Sequence, residues 1–301
     1  MSEINYPLLG SYVPMSKSTD YLVGAVKIAE SEDANCFMFY TGAPQNTKRV
    51  PVSELEVPEF RTDIANSDIN LNTVAIHAPY VVNLGNSLKA HTFDFGVQFL
   101  SQELQRASEI GVSLVVLHPG SAVGATVQQG LDQLVKGLDD IIATKPKGIK
   151  ICLETMAGKG TELGVNFQEL AYVIKNVKDS SDLGVCMDTC HVFDSGYDIK
   201  NNWDGVKEEF NKEIGFDKLW CMHINDSKNG LDSGSDRHAN IGYGQIGFDA
   251  LCKIVWDEQF KNVPKYLETP LVEGVAPYKY EIKMLRDKKF TDFVKTIEES
   301  L

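Results

Sequence analysis

The sequence predicts a parallel eight-stranded TIM-type (β/α)8 barrel, built as a single α/β domain over residues 1–301. Three observations predict it. Eight short apolar runs rich in β-branched residues recur between longer stretches with helical spacing. These runs are nearly continuous rather than alternating, as in parallel strands covered on their outer face. A length of 301 residues suits one such barrel with insertions, since about 250 is typical. An open doubly wound sheet is the alternative, but no G-x-G-x-x-G follows the first run.

The eight predicted strands are residues 8–13, 36–40, 73–78, 113–118, 149–154, 183–188, 219–224 and 265–269. The first predicted helix, 18–30, opens on polar caps and carries Leu22, Val23, Val26 and Ile28. Residues 88–110 form a long amphipathic stretch. Residues 127–142 place Leu131, Leu134, Val135, Leu138 and Ile142 at helical spacing. Stretches 166–177, 203–214 and 248–256 follow the same pattern, and 278–300 closes the chain as one or two helices. The Pro- and Glu-rich stretch 51–61 reads as a loop insertion.

Composition bounds the function. Hydrophobic residues make up 43% of the chain, enough for a sizeable core. No run of 18 apolar residues occurs, so no membrane span is expected. The N-terminus has neither a basic start nor an apolar segment, so a cytoplasmic protein is expected. Six cysteines without C-x-x-C spacing read as small core residues in a reducing compartment. The net charge of −13 has the wrong sign for a nucleic-acid partner, so any phosphate ligand requires local positive charge.

The predicted strand ends supply it. They fall at His77, His118, Glu154, Asp188, His223 and Glu268, spaced 34 to 45 residues apart, one βα unit each. The C-terminal face of a barrel is where active sites sit. His191 lies three residues beyond Asp188, and a polar loop after His223 carries Asp236-Arg237-His238. On an extended backbone, Asp236 and His238 share one side and Arg237 faces away. The glycines between Ile241 and Gly247 allow tight turns before the next helix. Any one His or Glu at a strand end is more often a satisfied core residue than a ligand. Six consecutive strand ends of this kind indicate a metal centre. His91 stands apart in a helical segment and reads as an ordinary surface or packing residue.

Mixed imidazole and carboxylate ligation suits Zn²⁺, with Mn²⁺ or Fe²⁺ as alternatives in part. Neighbouring strands suggest three groups: His77, His118 and Glu154; Asp188, His223 and Glu268, with Glu154 bridging; and His191, Asp236 and His238. Three divalent ions outweigh the four carboxylates, so the pocket becomes locally positive within an acidic protein.

These residues resemble the endonuclease IV family of abasic-site (AP) endonucleases. The resemblance rests on His118-Pro-Gly-Ser121, on Gly184-Val-Cys-Met-Asp188-Thr-Cys-His191 through Gly196-Tyr-Asp198, and on His223-Ile-Asn-Asp-Ser-Lys228 with Asp236-Arg-His238 and Ile241-Gly. Glu154-Thr-Met-Ala-Gly-Lys-Gly160, Leu267-Glu-Thr-Pro270 and Phe39-Tyr-Thr-Gly-Ala-Pro-Gln-Asn-Thr47 fit as well. Nearly the whole chain is covered. The resemblance implies a trinuclear zinc centre and hydrolysis of the DNA phosphodiester 5′ to an abasic site, with removal of blocked 3′ ends, in base excision repair. It carries over all nine ligand positions, and it implies a monomer acting on double-stranded DNA. Two departures are visible: Tyr12 stands where many members have His after the first strand, and Ala239 replaces a usual Glu after the Asp-Arg-His motif.

Glu154 and Glu268 are expected to ligate and to orient the attacking nucleophile. A target nucleotide must leave the stack to reach a recessed centre, and something must fill the gap. Two rim loops qualify. Gln45 brings an amide after the second strand, and Tyr80 brings a stacking ring after the third. Lys48, Arg49, Lys159 and Arg237 are the expected phosphate contacts. A metal-dependent sugar isomerase or epimerase is the competing function, because related barrels place Glu, Asp and His on the same rim. Such sites generally use one or two metals, so the extra His191/Asp236/His238 set discriminates.

Overall fold

The computed structural model describes residues 6–299. Eight parallel strands close into a barrel: β1 (Leu9–Tyr12), β2 (Phe37–Phe39), β3 (Val74–His77), β4 (Leu114–Leu117), β5 (Lys150–Glu154), β6 (Leu183–Asp188), β7 (Leu219–His223) and, in the eighth position, Lys265–Leu267. Each run identified in the sequence becomes one of these strands. His118 and Glu268 sit one residue past their strands rather than in them.

The helices around the barrel are α1 (Tyr21–Ser31), α2 (Val57–Asn66), α3 (Ala90–Ile110), α4 (Val127–Ile142), α5 (Phe167–Asn176), α6 (Thr189–Asp194), α7 (Trp203–Glu213), α8 (Phe248–Val255), α9 (Tyr278–Asp287) and α10 (Phe293–Glu298). Between β7 and α8 a short antiparallel pair forms from β8 (Asp226–Ser227) and β9 (His238–Ala239), so Lys265–Leu267 is β10.

The stretch 51–61 is not a loop insertion. It contains a 3-10 turn, Val52–Glu54, and the first half of α2. Proline is compatible with the first turn of a helix because no intrahelical N–H is needed there. Pro58 occupies that turn, and Phe60 and Ile64, one helical turn apart, bury against the barrel. Of the stretch 278–300, the described residues 278–299 divide in two, because the chain adopts a left-handed conformation at Lys288 after α9.

Strand alternation sorts the core into two compartments. Side chains on the outer faces, among them Phe37, Phe39, Ile76, Val115 and Leu117, pack against the helices. The inward faces form a separate cluster of Cys36, Met38, Ala75, Val116, Cys152, Cys186, Cys221 and Tyr266. All six cysteines are buried as free thiols. Registers Glu154↔Cys186 and Asp188↔His223 then raise the next inward-facing positions to the mouth of the barrel. No described helix is long and apolar enough to cross a membrane.

Candidate metal centre

Glu154, the last residue of β5, is buried at the centre of the mouth. One carboxylate oxygen lies 3.1 Å from Nε2 of both His77 and His118. The other lies 2.9 Å from Nδ1 of His223 and 3.4 Å from Nδ1 of His191. His223 Nδ1 is also 3.0 Å from Glu268 and 3.7 Å from Asp188. Asp188 ends β6 and caps α6, accepting the amide of His191 at 3.0 Å. That cap fixes the three-residue step that brings His191 to the site.

Three sets of ligand atoms lie close enough to share an ion: His77, His118 and Glu154; Glu154, Asp188, His223 and Glu268; and Asp188, His191 and His238. The first two agree with the groups expected from neighbouring strands. In the third, Asp188 joins His191 and His238. Asp236 stands beside this group, 3.0 Å from His191 Nε2 and 3.7 Å from His238 Nε2. The extended backbone expected at Asp236 is not what forms. Its φ is +51°, a left-handed turn, and only the next two residues reach β9.

The donor set fits cations. A backbone carbonyl only accepts, so each imidazole nitrogen facing one must carry a proton. Nδ1 of His77 donates to Ala78 O at 2.7 Å, Nδ1 of His191 to Thr155 O at 2.8 Å, and Nδ1 of His238 to Glu268 O at 3.1 Å. In the neutral ring the Nε2 lone pair then points at carboxylate oxygens, which are also acceptors. Either a proton on Nε2 or a cation must lie between them, and carbonyl-anchored imidazoles are the usual support of metal sites. The Nε2 atoms of His223 and His238 are buried without a hydrogen-bond partner.

Burial alone would raise the carboxyls of this centre. The imidazoles of His223 and His118 outweigh burial at Glu154 and hold it well below the usual carboxylate range. His223 does the same for Glu268, at about 2, and His191 for Asp236, at about 2. Burial opposes charge on His118, yet Glu154 raises it.

Around the centre stand polar groups to which the sequence pattern assigned no role. Asn225 donates to Asp188 at 2.8 Å and accepts the amide of Glu268 at 2.9 Å, tying two ligands together. Asp194 accepts the amide of Asp236 at 3.0 Å. Asp226 accepts amides of Ser227, Gly242, Gly244, Ile246 and Gly247 at 2.9 to 3.2 Å. The glycine-rich loop is thus wrapped around the protein's own carboxylate. A Cβ at Gly244 would stand 2.4 Å from Asp226 Oδ1, which is why glycine is required. The signal was available, because Asn225 and Asp226 stand two and three residues after His223, but sequence does not show which amides close on them.

On the rim, Tyr80 is 57% exposed and its ring stacks on His118 at 5.7 Å. Tyr40 donates a hydrogen bond to the Tyr80 hydroxyl at 3.1 Å and lies 5.6 Å from Tyr12. Gln45, Lys48, Lys159 and Arg237 are exposed, and His91 is an exposed helical residue. Arg49 is different: only 8% of its side chain is exposed, so it is not free to meet phosphate.

The sequence profile of the xylose isomerase-like TIM barrel family matches residues 26–288, which defines the class of this barrel. A probable endonuclease 4 of Mesoplasma florum is 50% identical over 96% of this chain and 99% of its own length. The crystal structure of endonuclease IV from Thermus thermophilus superimposes with a TM-score of 0.80 at 29% identity, covering 93% of this chain and 98% of that one. A D-tagatose 3-epimerase-like protein, at 18% identity and a TM-score of 0.66 over 97% and 99% of the two chains, shares the fold alone. Within this class the chain belongs to the endonuclease IV family.

Proposed function

We propose that this protein is a zinc-dependent AP endonuclease of base excision repair. It hydrolyses the DNA phosphodiester 5′ to an abasic site, leaving a 3′-hydroxyl and a 5′-deoxyribose phosphate, and it clears blocked 3′ ends. The observation that carries this reading is the convergence of His77, His118, Glu154, Asp188, His191, His223, Asp236, His238 and Glu268 at one barrel mouth. The imidazoles there are anchored so that lone pairs meet carboxylates.

Three divalent ions, chiefly Zn²⁺, suit the three ligand sets. When bound they would supply a water acidified to near neutral pH and neutralise phosphate charge. Glu154 links the first two sets and Asp188 the second and third, so these carboxylates set the spacing between sets. Glu154 and Glu268, ionised at any working pH, would orient the attacking water. His191, Asp236 and His238 would hold the side of the site where charge develops on the leaving 3′-oxygen. Gln45 and Tyr80 would occupy the gap in the duplex, with Arg237 on the backbone. A monomer acting in the cytoplasm completes the proposal.

Incubation with a duplex carrying one abasic site tests it, read by product length and end chemistry. Intact duplex, or products with an unsaturated 3′ sugar, would overturn it. The sugar epimerase alternative predicts ketose interconversion by the same preparation; the third ligand set speaks against it.

A further inference from the structure

The loop after β2 has no apolar anchor. Residues 42–48 are exposed or half-buried and belong to no regular element. A cavity of 410 Å³, lined by Thr47, Arg49, Gln102 and Arg106, separates part of the loop from α3. Asn46 N–H donates to Ala43 O at 3.3 Å and Lys48 N–H to Asn46 Oδ1 at 2.9 Å, and one guanidinium ties these turns together. Arg49 Nη1 donates to the carbonyls of Lys48 at 2.9 Å, Asn46 at 3.1 Å and Ala43 at 3.5 Å, closing the chain on itself around Gln45. Arg49 Nε donates to Glu103 Oε1 at 2.9 Å, and the guanidinium lies 5.1 Å from the Phe99 ring centroid.

Glu103, in the middle of α3, is fully buried. Its second oxygen accepts the hydroxyl of Thr41, the residue just before the loop. Arg106 Nε lies 4.0 Å from the same carboxylate. A single buried anion thus holds both the start of the loop, through Thr41, and its end, through Arg49.

We infer that Arg49, fixed by Glu103, is a positioning residue that shapes the 42–48 loop and thereby sets how Gln45 meets a duplex lacking a base. This inference rests on the DNA-directed function proposed above. Lysine cannot replace this arginine, because an ammonium lacks the planar fork that serves carboxylate and carbonyls together.

The test uses metal-loaded R49K, Q45A and the double variant, with E103Q as a second way to free the guanidinium. In R49K and E103Q, hydrogen exchange at the amides of 42–48 should quicken by about tenfold. KM for abasic duplex should rise about tenfold or more, with kcat and hydrolysis of bis(p-nitrophenyl) phosphate changed less than about twofold. In the Q45A background, R49K should add little, because both changes remove one contact. Unchanged exchange or KM in R49K, a parallel fall on the small diester, or full additivity with Q45A would each overturn the inference. If the unaltered protein leaves abasic duplex intact, the functional proposal fails instead.

Discussion

The barrel mouth and the layer directly beneath it are built from the same strands, two residues apart. On β5 the inward positions are Cys152 and Glu154, on β6 Cys186 and Asp188, and on β7 Cys221 and His223. Below, burial raises the three thiols, so they stay protonated and apolar in character. Above, carboxylates and imidazoles shift one another toward their charged forms. Pointing inward therefore does not make a ligand. Of these two inward-facing layers, only the mouth sets opposite charges against each buried charged group. The cysteines are nearest to potential soft-metal chemistry, yet among the described residues no ligand set includes one.

Four changes should break or sharpen this contrast. The largest effect is expected from Glu154→Ala. It removes the carboxylate that faces four imidazoles and links two ligand sets, so cleavage of abasic duplex should fall on the order of 10⁴-fold. Elemental analysis should show metal lost as well. Retained activity with full metal content would place the chemistry elsewhere.

His191→Ala comes next. It empties one side of the third set only, so metal content should fall from about three ions per chain to about two, with a 10²- to 10³-fold loss of activity on the order expected for losing one charge-stabilising group. A variant that keeps three ions would show that Asp188, Asp236 and His238 suffice.

The third change concerns a carboxylate with no imidazole beside it. Glu32 is largely buried next to Ser11, and burial raises its pKa to about 7. That is opposite in sign to Glu154. Between the unfolded value of 4.5 and about 7 the folded protein holds the extra proton, so stability should fall as pH rises through that window. Glu281, also raised to about 7 by burial, adds to the same slope, so Glu32→Gln should remove only its own part, on the order of 2 kcal/mol. Melting temperatures of both proteins from pH 4.5 to 8 would show it, and parallel curves would refute the assigned shift.

The smallest effect is expected from Cys221→Ala in the lower layer. Loss of one buried thiol should cost about 1 kcal/mol, read from denaturant midpoints. Metal content and cleavage should be unaltered. A fall in metal content here would mean that the thiol layer contributes to ligation.

Much of this protein was legible without coordinates. Apolar runs of strand length, repeating once per βα unit, dictate a covered parallel barrel, and the residues ending those runs mark its mouth. The nine residues read as ligand types were picked out because each ends a run, follows one by three residues as His191 does, or lies in the polar loop after β7. The spacing of the cysteines likewise pointed to core packing, and all six are buried as free thiols. Other features depend on which distant groups meet. The α2 helix was hidden by Pro58, because local composition does not reveal that Phe60 and Ile64 find a buried face. Arg49 read as a free cation until Glu103, far away on α3, came within 2.9 Å of it. Asp188 enters the third set, and Asp226 gathers five amides, through loop closures that no periodicity encodes. Periodic burial is a property of single segments and can be read from them. The pairing of buried charges is settled only when the chain has closed, because the cost of leaving one unpaired is imposed by its neighbours in space.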